Sequence, residues 1–205
     1  MNTNLKIFVL TMLAVLPAVN AKEALEIDDP MPTAKTEMKN VDGKMLTLDE
    51  VSGKEGTLVI FSCRHCPFVQ AWQGRMVDIG NEYQKKGVGV VFINSNDPEK
   101  YPQDNFDSMK EQAKENGYEF PYVMDATSKV ARAFGAGRTP EVFLFDADDK
   151  LVYHGAIDDS LRKPDNVKEP YLRNALDALL AGEEIKTKET RSIGCSIKFR
   201  KQDEQ

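Results

Sequence analysis

TLVIFSCRHCP, residues 57–67, is the stretch that decides the predicted fold. Its first five residues form a nearly continuous apolar run, which is typical of a central strand covered on both faces. Apolar residues then recur at three- and four-residue steps over residues 67–86, which predicts one buried helix face ending at Gly87. A second apolar run at residues 88–93 predicts another strand. Strand, helix and strand within such a short stretch make a βαβ unit, so we expect the two strands to be parallel.

Further helices and strands are predicted around that unit. An antiparallel hairpin is expected from two apolar runs, residues 141–145 and 151–154, that flank the turn residues 146–150. The other predicted elements are a hairpin at Asp42-Gly43 leading into residues 45–48, helices at residues 104–116 and 128–134, and a last helix with a leucine stripe over residues 172–180 that stops at Gly182. The fold class is therefore α/β, with a central mixed β-sheet flanked by helices and an N-terminal hairpin.

Composition excludes several classes of protein. The chain has 205 residues, of which 41% are hydrophobic, so it can bury a core and is not intrinsically disordered. Three cysteines are too few for a disulfide scaffold, and their odd number leaves one thiol without an obvious partner. The net charge of −6 argues against a protein that binds nucleic acid or an anionic membrane.

The first 21 residues are typical of a secretory signal. Lys6 precedes an apolar stretch at residues 7–16, Pro17 breaks that stretch, and Val19-Asn20-Ala21 offers the residues that signal peptidase reads. A membrane anchor is the alternative, but about ten apolar residues fall short of the roughly 20 that a spanning helix needs. We therefore predict cleavage after Ala21, no stable membrane span afterwards, and export to the periplasm or the extracellular space.

The mature chain is predicted to contain one domain. Residues 22–40 are polar and rich in turn residues, and we interpret them as a lead-in segment. A single domain is predicted over residues 41–186, followed by a tail at residues 187–205. The tail is basic between residues 191 and 201, and its composition suggests mobility.

Cys63-Arg64-His65-Cys66 lies at the predicted turn from strand to helix. Backbone N–H groups and the positive end of the helix dipole favour a thiolate at such a turn. Two cysteines three residues apart face the same side and can close a small disulfide. We expect Cys63, which is nearer the start and less covered, to attack, and Cys66 to resolve. Positive charge on Arg64 and His65 would lower the pKa of the Cys63 thiol and make the couple more oxidising.

A CxxC motif also has other interpretations. It could be an inert structural disulfide, or half of a zinc site. Zinc prefers four ligands, and beyond the pair the chain offers only Cys195, His65 and His154 apart from carboxylates. A redox couple is the favoured interpretation because of the βαβ context, while a metal-binding module that uses Cys63, Cys66 and a histidine stays open. For His154 we favour a hydrogen-bonded residue of the sheet over a catalytic role.

Thr139-Pro140 is the second notable element. It follows Gly135-Ala136-Gly137-Arg138 and opens a predicted core strand. A proline at that position indicates either a cis peptide bond in a tight turn or, as is commoner, a trans proline at the start of a strand.

Several segments together resemble a known family. They are the strand with Cys63-Arg64-His65-Cys66-Pro67, residues 120–125 (FPYVMD), residues 135–146 (GAGRTPEVFLFD) and residues 194–198 (GCSIK). From about residue 41 to residue 198 the chain resembles thioredoxin-fold redoxins, in the group that joins TlpA-type thiol-disulfide oxidoreductases with alkyl-hydroperoxide-reductase-like proteins. The likeness is to a subgroup with C-x-H-C-P and a C-terminal G-C-S-I-K. It implies that Pro140 is a cis-proline packed against the disulfide, with Thr139 preceding it.

Two departures from that family bear on function. Thioredoxin has a buried acid six residues before its first cysteine, and Thr57 stands there in this chain. Another group or water must therefore accept the Cys66 proton. Peroxiredoxins need P-x-x-x-[ST]-x-x-C, but Gly56 and Ile60 occupy the corresponding places before Cys63. A thiol-dependent peroxidase is therefore the weaker alternative.

The predicted function is that of an exported thiol-disulfide oxidoreductase. Its substrates would be protein or small-molecule thiols and disulfides, and a redox partner in the membrane or periplasm would exchange electrons with it. No metal, nucleotide or other cofactor is implied. Cys195 is a possible third thiol, which could resolve a mixed disulfide, link two chains, or simply pack the tail.

Overall fold

A computed structural model describes residues 24–201; the predicted signal and its cleavage site lie outside them. Within that range the strands are β1 Met38–Asn40, β2 Met45–Leu46, β3 Thr57–Phe61, β4 Gly89–Asn94, β5 Tyr122–Met124, β6 Arg138–Thr139, β7 Glu141–Phe145, β8 Leu151–Gly155 and β9 Cys195–Ser196. The α-helices are α1 Leu48–Val51, α2 Pro67–Gln84, α3 Phe106–Glu115, α4 Lys129–Phe134 and α5 Tyr171–Ala181. Short 3-10 helices span Pro102–Asp104 and Pro164–Asn166. No helix in residues 24–201 is both long enough and apolar enough to cross a membrane.

The main sheet has seven strands in the order β2-β1-β5-β4-β3-β7-β8. β3 and β4 run parallel, with Leu58 opposite Val90, as the βαβ pattern predicts. β7 runs antiparallel to both β3 and β8, which confirms the predicted hairpin and the mixed character of the sheet. β3 therefore lies inside the sheet, and the segment that follows it leaves from the middle of the fold.

Both faces of β3 are buried, which explains its continuous apolar sequence. Leu58 and Ile60 belong to one core cluster, which includes residues of α2, α3 and α5. Val59 and Phe61 belong to the other, which includes residues of α1 and α4. Every residue of β3 is buried, and alternate side chains serve opposite layers.

The N-terminal part of the fold differs from the sequence expectation in two ways. Within the segment predicted as a lead-in, β1 pairs with β5 in the main sheet and Leu25 is buried in the core. The strand expected over residues 45–48 stops at Leu46, and α1 begins directly afterwards. The reason is a capping box: the Glu50 backbone N–H donates to Thr47 Oγ1 (3.3 Å), and the Thr47 N–H donates to the Glu50 carboxylate (2.8 Å).

The C-terminal tail is docked on the domain as far as Arg200, where its composition suggested mobility. The His154 N–H donates to the Lys188 carbonyl (2.9 Å), and β9 pairs antiparallel with β6. Ile197 is buried in the core cluster that also contains Val59 and Phe61. The tail thus reaches the loop that precedes Pro140.

Candidate active site

The CxxC motif lies between the end of β3 and the start of α2, as predicted. Cys66 is the N-cap residue of α2, and Pro67 fills the first helical position, where a missing N–H costs nothing. Cys63 and Cys66 are both free thiols, and both belong to one buried core cluster. The exposed fraction of each residue is 0%, so Cys63 is not the less covered of the two, as the sequence analysis expected.

Thr139 contacts both sulfurs from across the site. Its Oγ1 lies 3.4 Å from Cys63 Sγ, and its carbonyl oxygen lies 3.1 Å from Cys66 Sγ, where it can accept a hydrogen bond whenever Cys66 is protonated. The Thr139–Pro140 peptide bond is cis. The motif and the Thr139-Pro140 segment are therefore two sides of one site.

Glu141 holds the loop before Pro140 in place. One carboxylate oxygen accepts the backbone N–H groups of Gly137 (2.8 Å) and Arg138 (2.9 Å). The other lies 2.9 Å from Nε2 of His154. His154 thus pairs with Glu141 within the sheet, whereas the residue that contacts the two motif sulfurs is Thr139.

Asp104 is a buried acid that the sequence analysis did not assign to the site. Its Oδ1 accepts the backbone N–H groups of Arg64 (2.9 Å) and His65 (3.1 Å). Its Oδ2 lies 2.5 Å from His65 Nδ1 and accepts from Asn96 Nδ2 (2.7 Å). Four donors on a fully buried carboxylate fix the two residues between the cysteines, while the His65 ring stacks on Tyr101. No motif marks Asp104, because it reaches the site through the 3-10 turn before α3.

Arg64 does not supply the positive charge that the sequence suggests for the sulfurs. Its guanidinium donates to Glu111 (2.8 Å), to Glu115 (3.3 Å) and to the Ser108 carbonyl (2.9 Å). The charge is thus neutralised along α3. Arg64 ties the motif loop to that helix rather than activating a thiol.

The pKa values of the two motif thiols are shifted in opposite directions. The pKa of Cys63 is raised by its hydrogen bond to Cys66, by burial and by the nearby Asp104 charge. The pKa of Cys66 is lowered by the hydrogen bond from Cys63, by Cys195 and by the Val69 N–H in the first turn of α2. The thiolate at Cys63 that the sequence suggests stays a prediction, and these shifts favour charge on Cys66 in the dithiol state.

Cys195 is the third thiol of the site. In the β6–β9 pair it lies opposite Thr139, the residue that contacts both motif sulfurs. It packs against the core cluster that contains both motif cysteines, and hydrogen bonds from its side chain and backbone lower the pKa of Cys66. Burial, followed by the hydrogen bond to Cys66, raises the pKa of Cys195 to about 11. The fold thus brings all three cysteines of the chain together.

One cluster could hold a metal ion among the described residues. Ligand atoms of Cys63, His65 and Asp104 lie within 4.8 Å of one another. This set differs from the Cys63, Cys66 and histidine set of the sequence analysis. Both Asp104 oxygens already accept N–H groups, so a cation there would have to displace those hydrogen bonds.

The sequence places the chain in a family. Residues 27–154, more than half of the chain, match the model of the AhpC/TSA family. The chain belongs to the AhpC/TSA family. This match extends from the N-terminal segment through β8 and so includes the motif, Asp104 and Thr139-Pro140.

A named relative and a solved structure are similar to this chain. The thiol-disulfide oxidoreductase ResA of Halalkalibacterium halodurans is 27% identical over 115 residues, which cover 56% of this chain and 61% of the relative. The chain thus spans about three fifths of that protein. A conserved protein of Geobacillus kaustophilus, described as uncharacterized, superposes with a TM-score of 0.80 at 43% identity, covering 87% of this chain and 94% of that one.

A more distant structure shows the thioredoxin-like fold alone. A putative thiol:disulfide interchange protein DsbE of Chlorobium tepidum superposes with a TM-score of 0.58 at 20% identity. The match covers 77% of this chain and 99% of that protein. The predicted fold class is thereby confirmed, and so is the resemblance to thioredoxin-like redoxins.

Proposed function

We propose that this protein is an exported thiol-disulfide oxidoreductase that works through Cys63 and Cys66. The observation that carries the proposal is the position of two free thiols at the start of α2, with Thr139 in contact with both sulfurs. A dithiol at a helix N-terminus, with donors converging on one sulfur, is suited to thiol-disulfide exchange. The similarity to a protein named thiol-disulfide oxidoreductase ResA supports the same activity.

The exchange proceeds in two steps in which Cys63 attacks and Cys66 resolves. Cys63 passes its proton to the Cys66 thiolate as its sulfur bonds to one sulfur of a substrate disulfide, and the other substrate sulfur leaves as a thiolate. Cys66, now a thiol, has the Thr139 carbonyl as its acceptor. Cys66 then attacks Cys63 of the mixed disulfide, and its proton goes to the second departing sulfur. One substrate disulfide is reduced to two sulfhydryl groups, one of them ionised, and the Cys63–Cys66 disulfide forms; the reverse sequence oxidises a substrate dithiol.

Insulin reduction by dithiothreitol tests this function. Cys63→Ser is expected to lower the catalysed rate to the background rate, whereas Cys66→Ser is expected to accumulate a mixed disulfide with the substrate on Cys63, visible as added mass. Ser62→Ala is a matched control beside the motif, since the Ser62 hydroxyl is buried without a partner among the described residues. Unchanged activity in Cys63→Ser would overturn the proposal.

Export is part of the proposal and has its own test. The order of charged, apolar and small residues over positions 1–21 supports secretion into an oxidising compartment, where a redox partner in the membrane or periplasm would exchange electrons with the couple. Expression of the full chain in a bacterial host, followed by N-terminal sequencing, is expected to give a mature protein that begins at Lys22. A chain that keeps residues 1–21 and stays in the cytoplasm would contradict export.

Peroxide reduction is the activity to separate from this one, because the family description includes AhpC. Gly56 and Ile60 replace the proline and the hydroxyl residue that a peroxidatic cysteine at position 63 would require. We therefore expect the reduced protein to consume hydrogen peroxide no faster than a free thiol of ordinary pKa. A rate several orders of magnitude higher would favour a thiol peroxidase instead.

A further inference from the structure

The tail strand β9 occupies the open edge of the loop that carries Thr139. Arg138 pairs with Ser196 and Thr139 with Cys195 in antiparallel register. The Ile197 N–H donates to the Gly137 carbonyl at 2.9 Å, which extends the pairing by one more bond. The strand that contains Cys195 thus pairs directly with Thr139, the residue that contacts both motif sulfurs.

Gly194 permits this close approach. A Cβ atom on Gly194 would lie 2.3 Å from the Thr139 carbonyl oxygen and 2.7 Å from its carbon, far inside contact distance. Both obstacles are backbone atoms, which cannot rotate away as a side chain can. Any residue larger than glycine at position 194 would therefore push the tail off the Thr139 edge.

Hydrogen bonds also hold the segment that follows Cys195 on the domain. The Lys198 N–H donates to Asn96 Oδ1 (2.7 Å), and the Lys198 carbonyl accepts from the Asp97 N–H (2.7 Å). Asn96 also donates to Asp104, so the tail and the motif loop share one hydrogen-bond network. The position of Cys195 is thus set on one side by Gly194, which allows the close approach to Thr139, and on the other by the hydrogen bonds of Lys198.

Cys66 is the middle member of the three thiols. Thr139 contacts the sulfurs of Cys63 and Cys66, and Cys195 lies opposite Thr139 in the β6–β9 pair and packs against the core cluster that contains both motif cysteines. Hydrogen bonds from Cys63 and from Cys195 both lower the pKa of Cys66, which places Cys66 beside each of them. A sulfur with a thiol on either side can form a disulfide with either one, so we expect Cys66 to be the shared partner and no direct bond between Cys63 and Cys195.

We propose that Cys195 is a third redox thiol, which can replace Cys63 as the disulfide partner of Cys66. The oxidised protein then interconverts between a Cys63–Cys66 and a Cys66–Cys195 disulfide. This inference rests on the proposed function, since exchange begins from the Cys63–Cys66 disulfide. The Cys195 sulfur attacks Cys66, the bond between Cys66 and Cys195 forms, and the bond between Cys63 and Cys66 breaks. Cys63 leaves with the electron pair and takes up the proton that Cys195 loses, so no net oxidation occurs.

Formation of the first disulfide prepares this exchange. In the dithiol state the negative charge on Cys66 helps to keep Cys195 protonated. Once Cys66 is in a disulfide that charge is gone, and Cys195 ionises more readily. Exchange then returns Cys63 to the thiol state while the chain stays oxidised. Cys63 is thereby free to engage another substrate before the protein is reduced, which a chain with only two cysteines cannot do.

Trypsin separates the three cysteines, so the pairing can be mapped on the full chain. Cleavage after Lys54, Arg64, Arg75, Arg191 and Lys198 releases Cys63 in peptide 55–64, Cys66 in peptide 65–75 and Cys195 in peptide 192–198. The protein is oxidised with diamide, quenched in acid, alkylated and digested. We expect two linked pairs by mass, 55–64 with 65–75 and 65–75 with 192–198, each accompanied by alkylation of the third cysteine.

Single substitutions then assign the partners. Cys63→Ser is expected to retain the link between 65–75 and 192–198, and Cys66→Ser to show no link within one chain. Gly194→Ala keeps all three thiols but is expected to lower the yield of the 65–75 with 192–198 pair at least ~10-fold, because the added Cβ displaces the tail. Gly137→Ala is the matched glycine control, since a Cβ there meets nothing within 4 Å.

Two results would overturn the proposal: a map that contains only the 55–64 with 65–75 link, or Cys195 found only in links between two chains. Failure of the proposed function is recognised separately. If Cys63→Ser keeps full insulin reductase activity, the Cys63–Cys66 mechanism fails whatever the map shows. If that variant is inactive while Cys195 is always fully alkylated, only the role of Cys195 fails.

Discussion

Asp104 is the residue on which the shape of the motif loop most depends. Replacement by Asn removes a buried charge and turns one acceptor into a donor that faces other N–H groups. We expect Asp104→Asn to lower the free energy of unfolding by about 2–3 kcal/mol in urea denaturation. It also removes one of the causes that raise the pKa of Cys63, so the couple should become more oxidising by tens of millivolts in a glutathione titration.

Asp107→Asn is the control for that substitution. Asp107 lies three residues further along, and its side chain is 84% exposed. Its replacement should change the free energy of unfolding by no more than ~0.5 kcal/mol and leave the potential unchanged. Equal effects of the two substitutions would contradict the role assigned to Asp104.

Cys66 should make the stability of the reduced protein depend on pH. Its pKa is lowered in the folded state, so the folded protein binds fewer protons than the unfolded chain between the two pKa values. The resulting stabilisation is fully present above the unfolded pKa of ~8.5 and is lost as the pH falls toward the folded value.

Urea denaturation of reduced protein at several pH values measures this dependence. The difference in free energy of unfolding between the wild type and Cys66→Ser should increase from about pH 5 to about pH 8, by at most ~1.4 kcal/mol per pH unit. Oxidised wild-type protein has no thiolate at Cys66 and should lack this dependence. A difference that is flat with pH in the reduced state would mean that the charge does not reside on Cys66.

Helix α2 contains two glycines with opposite packing. A Cβ on Gly80 would lie 2.3 Å from the ring of Phe120, whereas a Cβ on Gly74 would meet nothing within 4 Å. We expect Gly80→Ala to destabilise the fold by about 1–3 kcal/mol through overpacking. Gly74→Ala should stabilise it by about 0.5–1 kcal/mol, because alanine is the better helix former. Thermal or urea denaturation of both variants checks the pair, and destabilisation by Gly74→Ala would contradict the helix packing.

Elements with strong periodicity or continuous apolar runs could be predicted from the sequence, and the short ones could not. β3, α2 and the β7–β8 hairpin are confirmed because their burial patterns are local. β5 has three residues, and its place beside β4 is set by the sheet rather than by its own sequence. α1 depends on the Thr47 capping box, and its four residues are too few for a periodic pattern.

Across the whole molecule, the site could be predicted where its residues are adjacent in sequence. The motif and the Thr139-Pro140 segment are recognisable as local patterns. Asp104 and Cys195 are not, because they reach the motif only through the folding of the chain, 40 and 129 positions from Arg64 and Cys66 respectively. The orientation of Arg64 toward α3 is likewise decided by tertiary contacts that its sequence neighbours do not reveal.

Because the chain has three cysteines, the number of alkylated thiols shows directly whether the Cys63–Cys66 disulfide forms in the whole protein. Full-length protein is equilibrated in buffers of increasing oxidised-to-reduced glutathione ratio, quenched in acid and alkylated, and its mass is then measured by mass spectrometry. We predict a single two-electron transition from three alkylated thiols to one in the wild type, and from two to none in Cys195→Ser. Three alkylated thiols at every ratio, or the loss of two thiols at the same ratio in the wild type, in Cys63→Ser and in Cys66→Ser alike, would contradict a Cys63–Cys66 redox couple.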